Sequence, residues 1–172
     1  MHITQHTDYA LRVLLHVGSN PGRRVTIAEI AERFDISKSH LMKVVNQLVR
    51  AGMLEGQRGK GGGLSLAVPA SKICVGDVVR RTEPGMELVE CFGTGGRCLL
   101  NPSCKLKRAL KQALDAFLAV LDGYTLEDLL DSPATIRTLR ERSSERTSRS
   151  AGRSNTSLRH SRVVSRRIGK SG

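Results

Sequence analysis

Tryptophan is absent from the chain, and its 172 residues include only two tyrosines and three phenylalanines. A surface that stacks single-stranded bases needs several aromatic platforms, so that mode of nucleic-acid binding is excluded. No run of 18 apolar residues occurs, which excludes a membrane-spanning helix and leaves no expected membrane partner. The opening MHITQHTDYALRVLL lacks a positively charged start ahead of an apolar stretch and lacks a cleavage signature. No secretory leader is therefore expected, and the localisation expected is cytoplasmic. No Ser/His/Asp or Cys/His constellation is evident, and the carboxylates are scattered as helix-surface charges, so no enzyme is expected. The GKGGG run at 59–63 has neither the spacing nor the strand-then-helix context of a phosphate-binding loop.

Charge is unevenly placed. Residues 1–133 carry 17 Lys/Arg against 14 Asp/Glu, whereas residues 134–172 carry 11 against 2. The formal net charge of +12 is thus mostly a property of the C-terminal segment and says little about the rest. From Glu141 onward the sequence is rich in Ser and Arg and poor in apolar residues. It cannot bury enough surface to offset the entropy of ordering, so residues 132–172 read as a basic, disordered tail. Such a tail is either dispensable or a source of salt-dependent, sequence-independent attraction to phosphates.

The preceding residues read as mainly α with a small β-hairpin. Ala10, Val13, Leu14 and Val17 recur at helical spacing within 4–17, and Gly18 ends the run. Thr26 with Glu29 three positions on is a capping box, followed by the stripe Ile27, Ile30, Ala31 and Phe34. Asp35-Ile36-Ser37 turns the chain into a third helix, where Leu41, Val44, Val45 and Leu48 repeat at i, i+3, i+4 and i+7. Gly52 lies just past its end. Two short amphipathic helices joined by such a turn signal a helix-turn-helix, although any small helical bundle can show the pattern.

The next segment favours the helix-turn-helix. Leu54 to Arg58 suits a strand, Gly59 to Gly63 a tight tip, and Leu64, Leu66 and Val68 alternate on a return strand. A hairpin directly behind the third helix is the wing of a winged helix-turn-helix, and its glycines let backbone approach DNA closely. Ile73, Val75, Val78 and Val79 mark a short helix after Pro69. Leu106, Ala109, Leu110, Ala113, Phe117, Val120 and Leu121 then form one apolar face on a helix of about five turns. Thr125 with Asp128 caps a last short helix holding Leu126, Leu129 and Leu130. A long helix with an apolar face, outside a complete winged domain, reads as the dimerisation helix of a homodimer. The expected organisation is a DNA-binding domain at 1–83, a cysteine-containing cluster-binding loop at 84–104, the long and short helices at 105–131, and the tail at 132–172.

The third helix is expected to enter the major groove of double-stranded DNA by its N-terminal portion. Its candidates are Lys38, Ser39, His40, Met42, Lys43 and Asn46. Asn46 suits an adenine edge, and Ser39 or His40 suits a donor or acceptor on a base. Arg24, Lys38, Lys43, Arg58 and Lys60 suit phosphate or minor-groove contacts. Each alone is as consistent with solvated surface, so the set carries the reading. A dimer would face a near-palindromic operator with half-sites roughly 34–36 Å, or a multiple of that, apart.

Cys91, Cys98 and Cys104 fall within fourteen residues, separated by six and five others. That clustering in a cytoplasmic chain points to a metal site more than to disulfides. No C-x2-C pair is present, and the spacing is too wide for a zinc knuckle. Cys74, between Ile73 and Val75, reads instead as a small buried hydrophobe. The other three lie among Gly93, Gly95, Gly96, Asn101 and Pro102, a loop composition that lets thiolates converge on an inorganic cluster. A [4Fe–4S] cluster needs a ligand for each iron, so three cysteines leave the fourth to a non-Cys residue, a partner subunit or a small molecule. A [2Fe–2S] cluster, zinc and a metal-free thiol switch are the alternatives. Cys104 opens the long helix, with Ser103 available as its cap, where the helix dipole attracts negative charge. Loss of a cluster there would free the loop and move the dimer element, and with it the recognition helices. A metal or cluster carrier without sequence-specific DNA binding is the reading from another class, and the wing and third helix argue against it.

Three stretches together resemble a known family: HTDYALRVLLHV, VTIAEIAERFDISKSHLMKVVNQLVRAGMLEGQRGKGGGLSLA, and ELVECF with the later cysteines and NPSCKL before the long helix. Over residues 1–131 the chain resembles the winged-helix iron–sulfur transcriptional repressors, and within them the nitric-oxide-sensing branch. The resemblance implies a homodimeric repressor carrying a [4Fe–4S] cluster on Cys91, Cys98 and Cys104, with Asp8 of the partner subunit as fourth ligand. Read from the residues alone, Asp8 is an ordinary charge in the first helix. The resemblance further implies that nitric oxide attacks the cluster, operator affinity falls, and genes of nitric oxide detoxification and nitrosative-stress defence are derepressed. The cluster-biogenesis branch carries a His three residues after the last Cys, where this chain has Lys107. Iron-responsive and redox-responsive branches stay open. The FGTGGR stretch makes the first cysteine gap one residue longer than the family pattern.

Overall fold

The computed structural model describes residues 2–59, 61–89, 92 and 103–139. Helix α1 (Gln5–Gly18) starts where the Thr4 hydroxyl accepts the N–H of Thr7, and its Ala10, Val13, Leu14 and Val17 are buried, as their spacing predicts. Helix α2 (Ile27–Phe34) opens on the expected capping box: Glu29 N–H donates to the Thr26 hydroxyl at 3.2 Å, and Thr26 N–H donates to the Glu29 carboxylate at 2.8 Å. The chain then bends through Asp35, whose φ of 56° is left-handed. Asp is one of the few L-residues that visits this conformation routinely. Ser37 caps α3 (Lys38–Arg50) by accepting from His40 N–H, and Leu41, Val44, Val45 and Leu48 are buried.

The wing is an antiparallel hairpin of β1 (Leu54–Gln57) and β2 (Gly63–Leu66), with Leu54 opposite Leu66 and Gln57 opposite Gly63. Both strands are shorter than expected. Arg58 lies past the end of β1, and Val68 lies past β2, exposed, just before Pro69, which has no N–H for a ladder. The tip admits no side chain at Gly62, where a Cβ would lie 2.3 Å from the Gln57 carbonyl oxygen. Outside the hairpin, Val25 and Leu64 exchange N–H···O bonds at 3.0 and 2.8 Å, so the α1–α2 connection pairs with β2 and fixes the wing against the helix-turn-helix.

A 3-10 turn (Ala70–Lys72) leads to α4 (Val75–Thr82); α5 (Lys105–Asp122) and α6 (Leu126–Leu130) come after the cysteine segment. The Thr125/Asp128 capping box that opens α6 is present as expected. Helix α1 packs against α3, α4 and α6, with its buried stripe in one core with α3, the hairpin, Ile73, Val78 and Leu126.

Helix α5 departs from expectation in its apolar face. Leu114, outside the predicted set, is the buried residue, flanked by half-buried Leu110, Phe117 and Leu121, and the helix packs on α4. Leu106 and Val120 are 65% and 61% exposed, and Ala109 and Ala113 are exposed beside them. At 100° per residue the two sets form adjacent stripes, one facing its own domain and one left open. The N-cap of α5 is Cys104 itself rather than Ser103. Residues 133–139 are helical, so the segment expected as tail from residue 132 begins with a helix; residues 140–172 lie outside the described residues. Among the described residues no helix is long and apolar enough to cross a membrane.

Candidate nucleic-acid interface and metal ligands

Burying Leu41, Val44, Val45 and Leu48 turns the opposite side of α3 outward. That side presents Lys38, Ser39, Met42, Lys43 and Asn46, all exposed, and continues through Val49 and Arg50. The last two were not among the predicted contacts, although the same helical period reaches them. His40 stands apart. It is half-buried, with its ring edge-on to Tyr9 of α1 at 5.0 Å and 6.4 Å from His6. The exposed stripe offers an amide, hydroxyl, two ammonium groups and an apolar thioether, a set suited to reading base edges and phosphates.

The wing lies beside this helix. Arg58 is exposed at its tip, and Lys60 lies outside the described residues. Arg24 is held at the wing's base: its guanidinium donates to the Ser65 hydroxyl at 3.4 Å and lies 3.8 Å from Glu55. Pairing of this exposed kind is worth about 0–1 kcal/mol, so it orients Arg24 and leaves the guanidinium free to exchange partners. Near the start of α2, Arg23 faces Glu29 at 3.3 Å. Burial opposes the Glu29 charge, but the Thr26 N–H and Arg23 hold its carboxyl below the usual range.

The start of α1 is tied to the end of α4. Glu83 accepts from the Thr4 N–H at 2.9 Å and from the Thr4 hydroxyl at 3.1 Å. Burial works against its charge, yet the bonds from Thr7 and Thr4, with His6 nearby, keep the Glu83 carboxyl below its ordinary range. One turn along, Asp8 pairs with Arg12 at 2.8 Å and is 44% exposed.

Of the predicted cluster cysteines, Cys91 and Cys98 lie outside the described residues. Cys104 is half-buried and free, and its thiol makes no capping hydrogen bond, so the sulfur is available to ligate. Asp8 can leave Arg12 at a cost of about 0–1 kcal/mol, as expected for an exposed i,i+4 pair. Three thiols and one exchangeable carboxylate are donors that suit an iron–sulfur cluster.

A second group, unforeseen from sequence, brings the sulfur of Cys74 and carboxylate oxygens of Asp77 and Asp122 within 4.8 Å of one another. Cys74 is not the buried hydrophobe expected. It is half-exposed and its S–H donates to Asp122 Oδ1 at 3.6 Å. Arg80 occupies both carboxylates, 3.2 Å from Asp77 and 2.7 Å from Asp122 Oδ1, and holds the Asp122 carboxyl below its usual range. One thiol with two guanidinium-paired carboxylates is not the donor set of a [4Fe–4S] cluster.

A helix-turn-helix, a wing pinned through Val25, and a long helix behind them are the features against which known proteins compare. Residues 3–132 match the model of the Rrf2 family, described as an iron-dependent transcriptional regulator. The chain belongs to the Rrf2 family. An Rrf2 protein is a DNA-binding transcriptional regulator and not an enzyme. The chain is 48% identical to the HTH-type transcriptional regulator NsrR of Geobacillus kaustophilus, over 81% of this chain and 96% of that protein. It is 45% identical to the NsrR of Bacillus subtilis, over 81% and 97%. Among solved structures it is similar to CymR, the global cysteine regulator of B. subtilis, with a TM-score of 0.64 and 28% identity over 76% of this chain and 96% of that one. It is also similar to T. potens IscR, with a TM-score of 0.61 and 25% identity over 76% and 86%.

Proposed function

We propose that this Rrf2 regulator is a cytoplasmic homodimeric repressor of a near-palindromic operator, controlled by a nitric-oxide-sensitive [4Fe–4S] cluster. The observation that carries the reading is the likeness to NsrR through 96% of that protein's length, in a chain that keeps three clustered cysteines. Cys91, Cys98 and Cys104 would hold the cluster, and Asp8 of the partner subunit would complete it. When bound, the cluster supplies iron that reacts with nitric oxide. The protein's own residues convert its presence into DNA affinity: Cys104 opens α5, and the exposed stripe of α5 is the surface that a second copy covers. Two α3 helices then face successive major grooves, with Asn46, Ser39 and Met42 at base edges. Lys38, Lys43, Arg24, Arg58 and Lys60 contact backbone. His40 serves by packing α3 on α1 as well as by facing DNA.

A second reading, an iron-responsive repressor on the same site, is favoured by the family's description as iron-dependent. Anaerobic absorbance and Mössbauer spectroscopy during titration with nitric oxide, and separately with an iron chelator, distinguish the two when operator binding is followed in parallel. Release by nitric oxide supports the first reading, and release by chelator alone supports the second. Colourless protein after anaerobic reconstitution, with undiminished operator affinity, sinks both. Metal content and Mössbauer parameters separate [4Fe–4S] from [2Fe–2S] or zinc. Asp8→Ala should leave helix content intact and make the cluster labile; an unchanged spectrum and response would remove Asp8 from the ligand set.

A further inference from the structure

Gln47 lies on α3 next to Asn46, but it is half-buried where Asn46 is exposed. Its amide nitrogen donates to the backbone carbonyl of Arg81 in the last turn of α4, and its amide oxygen is 2.7 Å from His6 Nε2 in the first turn of α1. The two bonds set each other's sense. A carbonyl only accepts, so the NH2 end of Gln47 faces Arg81; its oxygen then faces His6, which must donate from Nε2. Beside this bridge, Glu83 ties the end of α4 to the N-cap of α1 through Thr4. The start of α1, the end of α4 and the middle of α3 thus meet in one polar knot.

We infer that Gln47 is the positioning residue that couples the recognition helix to the sensing region, because its one side chain bridges the first turn of α1 and the last turn of α4. The inference rests on the proposed cluster, which places one ligand, Asp8, two residues after His6 and the cysteine segment directly after Glu83. The fully buried residues of α3 are apolar, His40 adds only ring contacts to Tyr9 and His6, and apolar contacts are non-directional. Two hydrogen bonds from one amide define a single position of the helix, because both distance and angle are restricted. A shift of either the α1 turn or the α4 end changes which bond Gln47 keeps, and so moves Asn46 and Met42 relative to a base edge. Gln47 itself touches no DNA in this arrangement.

The test uses the full chain purified anaerobically, with operator affinity measured by anisotropy both with the cluster and after its removal by chelator. Gln47→Met keeps the length of the side chain and removes both bonds. Gln47→Glu keeps the acceptor for His6 and sets a carboxylate against the Arg81 carbonyl. Both variants are expected to retain the cluster's absorbance spectrum and the native helix content. The ratio of operator affinities with and without cluster should fall by about ten-fold in Gln47→Met, the scale of one to two hydrogen bonds. A native protein with cluster-dependent affinity and a Gln47→Met variant with the same ratio overturns the inference while leaving the proposed function standing. A native protein with no such ratio overturns the proposed function, and this inference with it. If Gln47→Met does not fold, the ratio in Gln47→Glu decides, and an unchanged ratio there overturns the inference.

Discussion

His16 sits on the inner side of α1, 4% exposed, with its ring edge-on to Phe34 at 5.8 Å. Its Nδ1 is buried without a hydrogen-bond partner among the described residues. Burial, with Arg33 and Arg23 adding positive charge nearby and Glu29 partly offsetting them, lowers its pKa from 6.5 to about 4. The unfolded chain therefore takes up a proton near pH 6.5 that the folded chain refuses until about pH 4. Stability falls as pH drops through that window and stops falling below it. At about 1.4 kcal/mol per pKa unit, linkage gives a loss of ~2 kcal/mol between pH 7 and pH 5, and ~3 kcal/mol by pH 4. Against a typical domain stability of roughly 5–15 kcal/mol, such a loss is measurable. Replacing the ring, His16→Phe, removes the titration and leaves an apolar ring of similar size against Phe34. Urea unfolding followed by circular dichroism at pH 7, 6 and 5 should show the native protein losing ~2 kcal/mol more than the variant. Parallel pH profiles for the two proteins would refute the reasoning.

Phosphate contact and base reading should separate by substitution. Arg58→Ala is expected to weaken operator and non-operator DNA alike and to flatten the salt dependence by about 0.9 per lost contact, and an unchanged slope counts against it. Asn46→Ala should cost about 1–3 kcal/mol on the operator and relax preference at one base pair; equal losses on both DNAs would make it a backbone contact. Val120→Glu puts a charge in the open stripe of α5 and should yield monomers in sedimentation equilibrium, while a persistent dimer places the interface elsewhere. Truncation after Leu139 removes ten Lys/Arg and two Glu. A shallower salt slope on any duplex would give the tail a phosphate-binding role, and an identical slope would make it dispensable.

The features legible in the sequence were those set within one or two turns of chain. The Thr26/Glu29 and Thr125/Asp128 boxes, the Ser37 cap and the stripes of α1 and α3 depend on neighbours three or four residues away, so residue order alone determined them. The close spacing of the cysteines was equally plain, whereas Asp8 entered only as a ligand that the resemblance implies, since spacing held no signal for it. Other features depended on partners far along the chain. The apolar period of α5 was visible, but α4 decided that Leu114 turns inward while Leu106 and Val120 stay open. Cys74 looked like core between Ile73 and Val75, until the fold set Asp122 against its sulfur. Gln47 was one polar residue beside Asn46, with nothing local to announce His6 or Arg81. Helix-forming and capping energies act along the chain, whereas burial and hydrogen bonding across the core depend on how all the helices settle together. The sequence by itself therefore determined a winged helix-turn-helix followed by three closely spaced cysteines, and only the tertiary structure decided which side chains join α3 to the rest.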